Sequence, residues 1–89
     1  MEDVTPQQAL QVLGANVKRL RAAANLTQQQ LADTVGVTQS AISRLEKGHT
    51  DFTVGLVVSI AEVLGEPVDM LFRAEKTGDA SSRSLQTVA

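Results

Sequence analysis

Residues 27–48, TQQQLADTVGVTQSAISRLEKG, carry the signals of two short helices separated by a tight turn. Thr27 followed three residues later by Gln30 is the pattern of a capping box, and Gly36 is a residue type that ends helices in the left-handed conformation. Thr38 is again a good N-terminal cap. The pattern predicts helices over residues 28–35 and 39–47, the second ending at Gly48.

Two short helices joined by a turn that contains glycine form a helix-turn-helix unit, although any small helical bundle holds such a pair. Ala32 has no bulk to keep the two helices apart, and Gly36 permits the turn. We expect a common core from the apolar residues of this stretch: Leu31, Val35, Val37, Ile42 and Leu45.

A longer helix is predicted before this unit. Thr5 can cap it, Pro6 suits its first turn, Gln8 can complete a capping box, and Asn25 can end it. Gly14 lowers the helix propensity of this segment, and the alternative is a helix that starts after Gly14. The expected apolar stripe is Leu10, Leu13, Val17, Leu20 and Ala24.

Two further helices are predicted after the unit, which makes the fold class all-α with five helices in one compact domain. Thr53 caps the fourth helix and Gly65 ends it, and Pro67 begins the fifth. We expect an N-terminal arm at 1–5, a domain at 6–74 and a flexible, Ser/Thr-rich tail at 75–89. The predicted inward residues are Val54, Val57, Ile60, Ala61 and Leu64 in the fourth helix, and Val68, Leu71 and Phe72 in the fifth.

The composition narrows the class of protein. The chain has 89 residues, no Cys, one His and only 2% aromatic residues, so the expected core is aliphatic and disulfides are excluded. With no apolar run long enough for a bilayer, we expect a cytoplasmic protein. An enzyme needs clustered polar groups, and neither a His/carboxylate cluster nor metal-ligand spacing is present; we expect no catalytic or metal-binding residues, no cofactor and no small-molecule ligand.

The charges are unevenly distributed along the chain. The whole chain carries a formal charge of −2, which alone argues against a polyanionic partner. Residues 17–49, however, hold five basic and two acidic residues, a net +3, and residues 50–79 hold two basic and six acidic residues, a net −4. One part of the domain therefore suits phosphate and the other does not.

A spaced set of residues from about Leu13 to Arg73 resembles the phage-repressor and Cro-type helix-turn-helix family, also called lambda-repressor-like. This resemblance implies a five-helix domain with the helix-turn-helix at helices 2 and 3, binding palindromic operators in double-stranded DNA as a homodimer. The matching residues are Leu20-Arg21, Leu26-Thr27-Gln28, Leu31-Ala32, Gly36-Val37-Thr38-Gln39, Ile42-Ser43-Arg44-Leu45-Glu46-Lys47-Gly48, Ile60-Ala61, Leu64-Gly65 and Leu71-Phe72.

The third predicted helix has an outward face suited to reading DNA bases. Gln pairs with adenine through two hydrogen bonds, Arg does so with guanine, and Ser adapts to several base edges. We therefore predict base contacts by Gln39, Ser40 and Arg44. The alternatives are helix capping or solvation for Gln39, and a phosphate contact or a solvated charge for Arg44.

Phosphate contacts are predicted at both ends of the unit. Gln28 stands at a helix N-terminus, which favours anions, and in the resembling family this Gln touches the DNA backbone. Thr27 caps the same helix, and capping alone is a sufficient role for it. The predicted phosphate-binding residues are Thr27, Gln28, Ser43, Lys47, His49 and Thr50.

The resemblance also implies a structural ion pair between Arg21 and Glu46. The chain departs from the family pattern at Ala24, where a basic residue is common, and at Asp51 and Phe52, where basic residues and Pro are common. Because Asp51 would repel a phosphate close to it, we expect weaker non-specific DNA affinity than in a more basic relative.

The predicted function is a dimeric, repressor-type transcriptional regulator that binds a pseudo-palindromic operator. We expect the dimer surface on the acidic side, at Val58, Met70 and Leu85 of the tail. The alternative is a protein-interaction module, such as an antitoxin-like partner of another protein, but such a surface would more often carry aromatic or aliphatic anchors.

Overall fold

The computed structural model describes residues 5–74, which form a small all-helical domain. Within this range there are four α-helices, one 3₁₀ helix and no strand. The predicted arm, apart from Thr5, and the predicted tail lie outside the described residues. The helices are α1 (Pro6–Ala23), α2 (Gln28–Val35), α3 (Gln39–Glu46) and α4 (Val54–Leu64), followed by the 3₁₀ helix (Val68–Phe72).

Threonine caps set the start of each α-helix, as the sequence predicted. The hydroxyls of Thr5, Thr27, Thr38 and Thr53 accept hydrogen bonds from backbone N–H groups in the first turns of α1 to α4. In α1 and α2 the reciprocal glutamine bond is also present. Each such cap contributes about 1 kcal/mol to helix stability.

The predicted fifth helix is present, but it is a five-residue 3₁₀ helix and not an α-helix. The N–H of Met70 donates to the carbonyl of Pro67, three residues back, and the backbone is already extended at Arg73. A segment of five residues forms hydrogen bonds between residues three apart more readily than the bonds between residues four apart that an α-helix needs. Leu71 is fully buried, whereas Val68 and Phe72, both predicted to face inward, are exposed.

The buried core is aliphatic and draws on all five elements. Val54 and Ala24 are exposed, so their predicted inward positions were wrong. Val54 is the first residue of α4, and Ala24 lies just past the end of α1. The buried apolar residues are Leu13, Val17, Leu31, Ala32, Ile42, Leu45, Val57, Ile60, Ala61 and Leu71.

Asn16 is a buried polar residue that attaches the 3₁₀ helix to α1. Its amide nitrogen donates to the carbonyls of Leu71 at 2.8 Å and Arg73 at 2.7 Å. Its oxygen accepts from the guanidinium of Arg19 at 3.2 Å. This one amide therefore ties the last described turn of the chain to α1, in addition to the burial of Leu71 in the core.

Gly14 lies in the middle of α1, which continues through it, and marks a close approach of α1 to the end of α3. A Cβ atom at this position would collide with the backbone carbonyl oxygen of Leu45 and would lie 2.8 Å from that of Glu46. Backbone packs directly on backbone here, so the C-terminal end of α3 is fixed against α1.

Gly14→Ala is expected to lower the free energy of unfolding by about 1–3 kcal/mol, because overpacking outweighs the better helix propensity of alanine. Gly55→Ala is the matched control, since the nearest atom to its added Cβ is 3.9 Å away. The control is expected to be neutral or stabilising by up to about 1 kcal/mol. Urea unfolding of both variants checks this; equal effects would contradict the close packing of α1 on α3.

Candidate nucleic-acid interface

The side of α3 that faces away from the core carries polar residues. Ile42 and Leu45 are buried, whereas Ser40, Arg44 and Lys47 are exposed and Ser43 is half-buried. Positions three or four apart share one face of a helix, so these four side chains form a continuous strip. We call the strip together with Gln39 the polar face of α3.

α2 holds α3 in this orientation through a short turn. Gly36 adopts a φ of +81° at the end of α2, and Thr38 already caps α3. Ala32 in α2 and Ile42 in α3 are both fully buried. The core therefore fixes the inner side of α3 and leaves the polar face on the surface.

A chain of hydrogen bonds connects α1, α2 and α3, and we call it the polar relay. Glu46 accepts from Arg21, with Nε to Oε2 at 2.6 Å and Nη2 to Oε1 at 3.1 Å. Gln28 Nε2 donates to Glu46 Oε1 at 2.9 Å, and Gln39 Nε2 donates to Gln28 Oε1 at 2.5 Å. Arg21 Nη1 also donates to the carbonyl of Leu26 at 2.7 Å.

The ion pair within the relay is largely removed from water, because the side chain of Glu46 is 2% exposed and that of Arg21 is 13% exposed. The hydrogen bond to Glu46 is the main cause that raises the pKa of Arg21 above its ordinary value, and burial partly opposes it. Arg21 therefore remains charged, and the pair joins α1 to the end of α3.

The predicted phosphate-binding residues lie in two groups at opposite ends of α3. Thr27 caps α2, its hydroxyl accepting from Gln30, and Gln28 bonds to Gln39 at the N-terminal end of α3. At the other end are Lys47, which caps α3, and His49 and Thr50 in the following loop. Gln28 also donates to Glu46, the residue before Lys47, so its amide reaches from one end of α3 towards the other. Ser43 lies within α3, between the two groups.

Two contacts in this region were missed by the sequence analysis. Gln28 was assigned only to phosphate, yet its amide bridges Glu46 and Gln39. Gln7 of α1 donates to the carbonyl of Gly48 at 3.2 Å and so supports the loop after α3. Glutamine partners that lie far apart in sequence leave no local pattern, and no sequence signal identified these bonds.

Among residues 5–74, no group of three or more His, Cys or carboxylate side chains is placed to hold a metal ion. The same range contains no helix with both the length and the apolar character needed to span a membrane.

Comparison with known proteins shows the family to which the chain belongs. The sequence profile of the helix-turn-helix family matches residues 17–71, and the chain belongs to this family. Its members are DNA-binding transcriptional regulators, not enzymes. An uncharacterized HTH-type transcriptional regulator of Rickettsia conorii is 37% identical over 60 residues, which cover 67% of this chain and 48% of that protein. The chain thus matches about half the length of such a relative.

Solved structures show the same fold. The restriction-modification controller protein C.AhdI from Aeromonas hydrophila superposes with a TM-score of 0.68 at 27% identity, over 71% of this chain and 96% of that one. The clp gene regulator ClgR from Corynebacterium glutamicum gives a TM-score of 0.70 at 28% identity, over 98% and 85%.

Glu46→Ala is expected to lower the free energy of unfolding by about 3–5 kcal/mol, because it leaves Arg21 charged and partly buried without its partner. Asp69→Ala serves as the control: its pair with Arg73 spans 3.9 Å between side chains 69% and 65% exposed, so little change is expected. Urea denaturation measures both, and a Glu46→Ala variant as stable as the control would show that the ion pair is not structural.

Proposed function

We propose that this chain is a sequence-specific, double-stranded DNA-binding regulator of the repressor type, in which α2 and α3 form the helix-turn-helix and α3 enters the major groove. The observation that carries the proposal is the polar face of α3, where Gln39 is held by a hydrogen bond and Arg44 is exposed. A helix presented in this way fits the width of the groove. The family membership supports the same conclusion.

Base reading is assigned to Gln39, Ser40 and Arg44. Gln39 lies at the start of α3, where this class of motif contacts base edges, and its side chain suits adenine. Arg44 lies just over one turn further along and suits guanine, and Ser40 lies between them.

Phosphate contacts are assigned to the start of α2, to Ser43 in α3 and to the residues that follow α3. Thr27 and Gln28 at the start of α2, with Ser43, would bind one strand, since the N-terminal end of α2 favours an anion. Gln28 keeps a second amide hydrogen for this contact besides the one given to Glu46. Lys47, His49 and Thr50 would bind the other group of phosphates. The net +3 charge of residues 17–49 supports this placement.

A homodimer is the proposed functional unit, because two copies double the number of base pairs that are read. The exposed large apolar residues among those described are Val54, Val58, Val68 and Phe72, and all four line one groove of about 330 Å³ between α1, α4 and the 3₁₀ helix. Met70 is half-buried and does not line this groove, and Leu85 lies outside the described residues. We therefore assign the dimer contact to the groove. Of the residues predicted from the sequence for this contact, Val58 lines the groove.

Such a dimer is symmetric, with the same surface used by both subunits. Its two α3 helices would enter successive major grooves about 34 Å apart on a pseudo-palindromic operator. The alternative function, a protein-interaction module, fits less well because α3 offers polar side chains where apolar anchors would be needed.

Gln39→Ala and Arg44→Ala are each expected to cost about 1–3 kcal/mol of operator affinity and to relax the preference at particular base pairs. Lys47→Ala is the contrasting variant, expected to weaken binding to all sequences uniformly and to reduce the salt slope by about one. Selection from random DNA provides the operator, and fluorescence anisotropy on operator and random duplexes gives the affinities. Equal losses on both duplexes for Gln39→Ala and Arg44→Ala would assign these residues to phosphate instead.

Val54→Glu is expected to convert a dimer at micromolar concentration into a monomer, because it places a charge in the apolar groove. Val54 is 79% exposed at the first position of α4, where a carboxylate is favourable, so the fold is expected to remain. Gly55→Glu adds the same charge at the next residue, which does not line the groove, and is expected to stay dimeric. Sedimentation distinguishes the two, and a wild-type monomer that protects one half-site in footprinting would disprove the dimer.

A further inference from the structure

We infer that Glu46 is a positioning residue for base discrimination: through Gln28 it sets which end of the Gln39 amide faces the DNA. The inference rests on the proposed function, because it requires Gln39 to read a base. It follows from the direction of the hydrogen bonds in the polar relay, which joins a buried carboxylate to the half-buried Gln39 at the start of α3.

The direction of the relay is fixed at its buried end. A carboxylate beside a guanidinium can only accept hydrogen bonds, and Arg21 already donates to both oxygens of Glu46. Gln28 must therefore turn its amide nitrogen towards Glu46. Its amide oxygen then points the other way, towards Gln39.

The same constraint passes to Gln39. Since Gln28 presents an oxygen, Gln39 must present its amide nitrogen to form the bond of 2.5 Å between them. This uses one of the two amide hydrogens of Gln39. The side chain keeps one N–H donor and its carbonyl acceptor for an outside partner.

One donor beside one acceptor matches adenine, which offers the N7 acceptor and the N6 amino donor in the major groove. Guanine offers two acceptors, N7 and O6, and so leaves the Gln39 oxygen without a partner. A reversed Gln39, with its oxygen bonded to Gln28, would present two N–H donors and would suit guanine instead. The charge of Glu46 thus favours adenine over guanine at a base pair that Glu46 does not touch.

The test measures the adenine-to-guanine preference at the base pair that Gln39 reads. Selection from random DNA with the wild-type protein gives the operator, and Gln39→Ala identifies the position by the preference that it removes. At that position the wild type is expected to favour adenine about tenfold or more, as expected for a contact made through two hydrogen bonds.

Two variants interrupt the relay in different ways. Glu46→Gln replaces the carboxylate by an amide that can accept or donate, so the relay has no fixed direction. Gln28→Leu removes the link and leaves the Arg21–Glu46 pair in place. Both are expected to reduce the preference for adenine to about threefold or less, while the positions read by Arg44 keep their preference.

Gln29→Leu is the matched control, because Gln29 is the neighbouring glutamine on α2 and, among residues 5–74, its amide bonds to Asp33 and not to Glu46 or Gln39. It is expected to keep the wild-type preference. In a Gln39→Ala background, Glu46→Gln is expected to change the adenine-to-guanine ratio no further, since the two effects share one path. All binding is measured well below the melting temperature of the least stable variant.

The outcomes distinguish a failure of the proposed function from a failure of the polar relay. A wild-type protein that selects no sequence, or a Gln39→Ala variant that alters no position, would overturn the proposed function together with the relay. An operator that depends on Gln39, combined with an unchanged adenine-to-guanine ratio in Glu46→Gln and Gln28→Leu, would overturn the relay alone. A loss of base preference at every operator position in Glu46→Gln, rather than at the position read by Gln39, would reduce Glu46 to a purely structural role.

Discussion

Glu46 is a negative charge that the fold has removed from water, and the arrangement of three helices depends on how it is satisfied. Moving a carboxylate into the interior costs several kcal/mol unless hydrogen bonds replace its hydration. Here Arg21 of α1 and Gln28 of α2 supply them to a residue at the end of α3. Because the three donors come from two other helices, the carboxylate is satisfied only when α1, α2 and α3 have their correct relative positions.

Gly14 makes this arrangement sterically possible, since α1 could not come so close to the carbonyls at the end of α3 with any larger residue. The contact is at backbone level, where there is no side-chain rotamer to adjust. The buried pair and the glycine therefore specify the same position of α3 by independent means, one electrostatic and one steric.

Local signals in the sequence were sufficient to predict most of the fold. The threonine caps and the left-handed ends at Asn25, Gly36 and Gly65 need only neighbouring residues, and all are present in the structure. The 3₁₀ helix and the exposure of Val54 depend on how segments pack at their ends, which periodicity does not encode. For the site, the sequence identified the polar residues of α3, but the role of Gln28 required knowledge of partners 11 and 18 residues away.

The attachment of the 3₁₀ helix by Asn16 has a thermodynamic consequence for assembly. This segment has one buried residue, Leu71, whose carbonyl accepts from the Asn16 amide, so it is a candidate for local opening without unfolding of the other helices. Val68 and Phe72 lie on the same segment and form part of the apolar groove. If a second subunit covers that groove, association and closure of this segment become linked equilibria. Each subunit would then gain part of its local order from the other, and the free energy of association would include the ordering of the 3₁₀ helix.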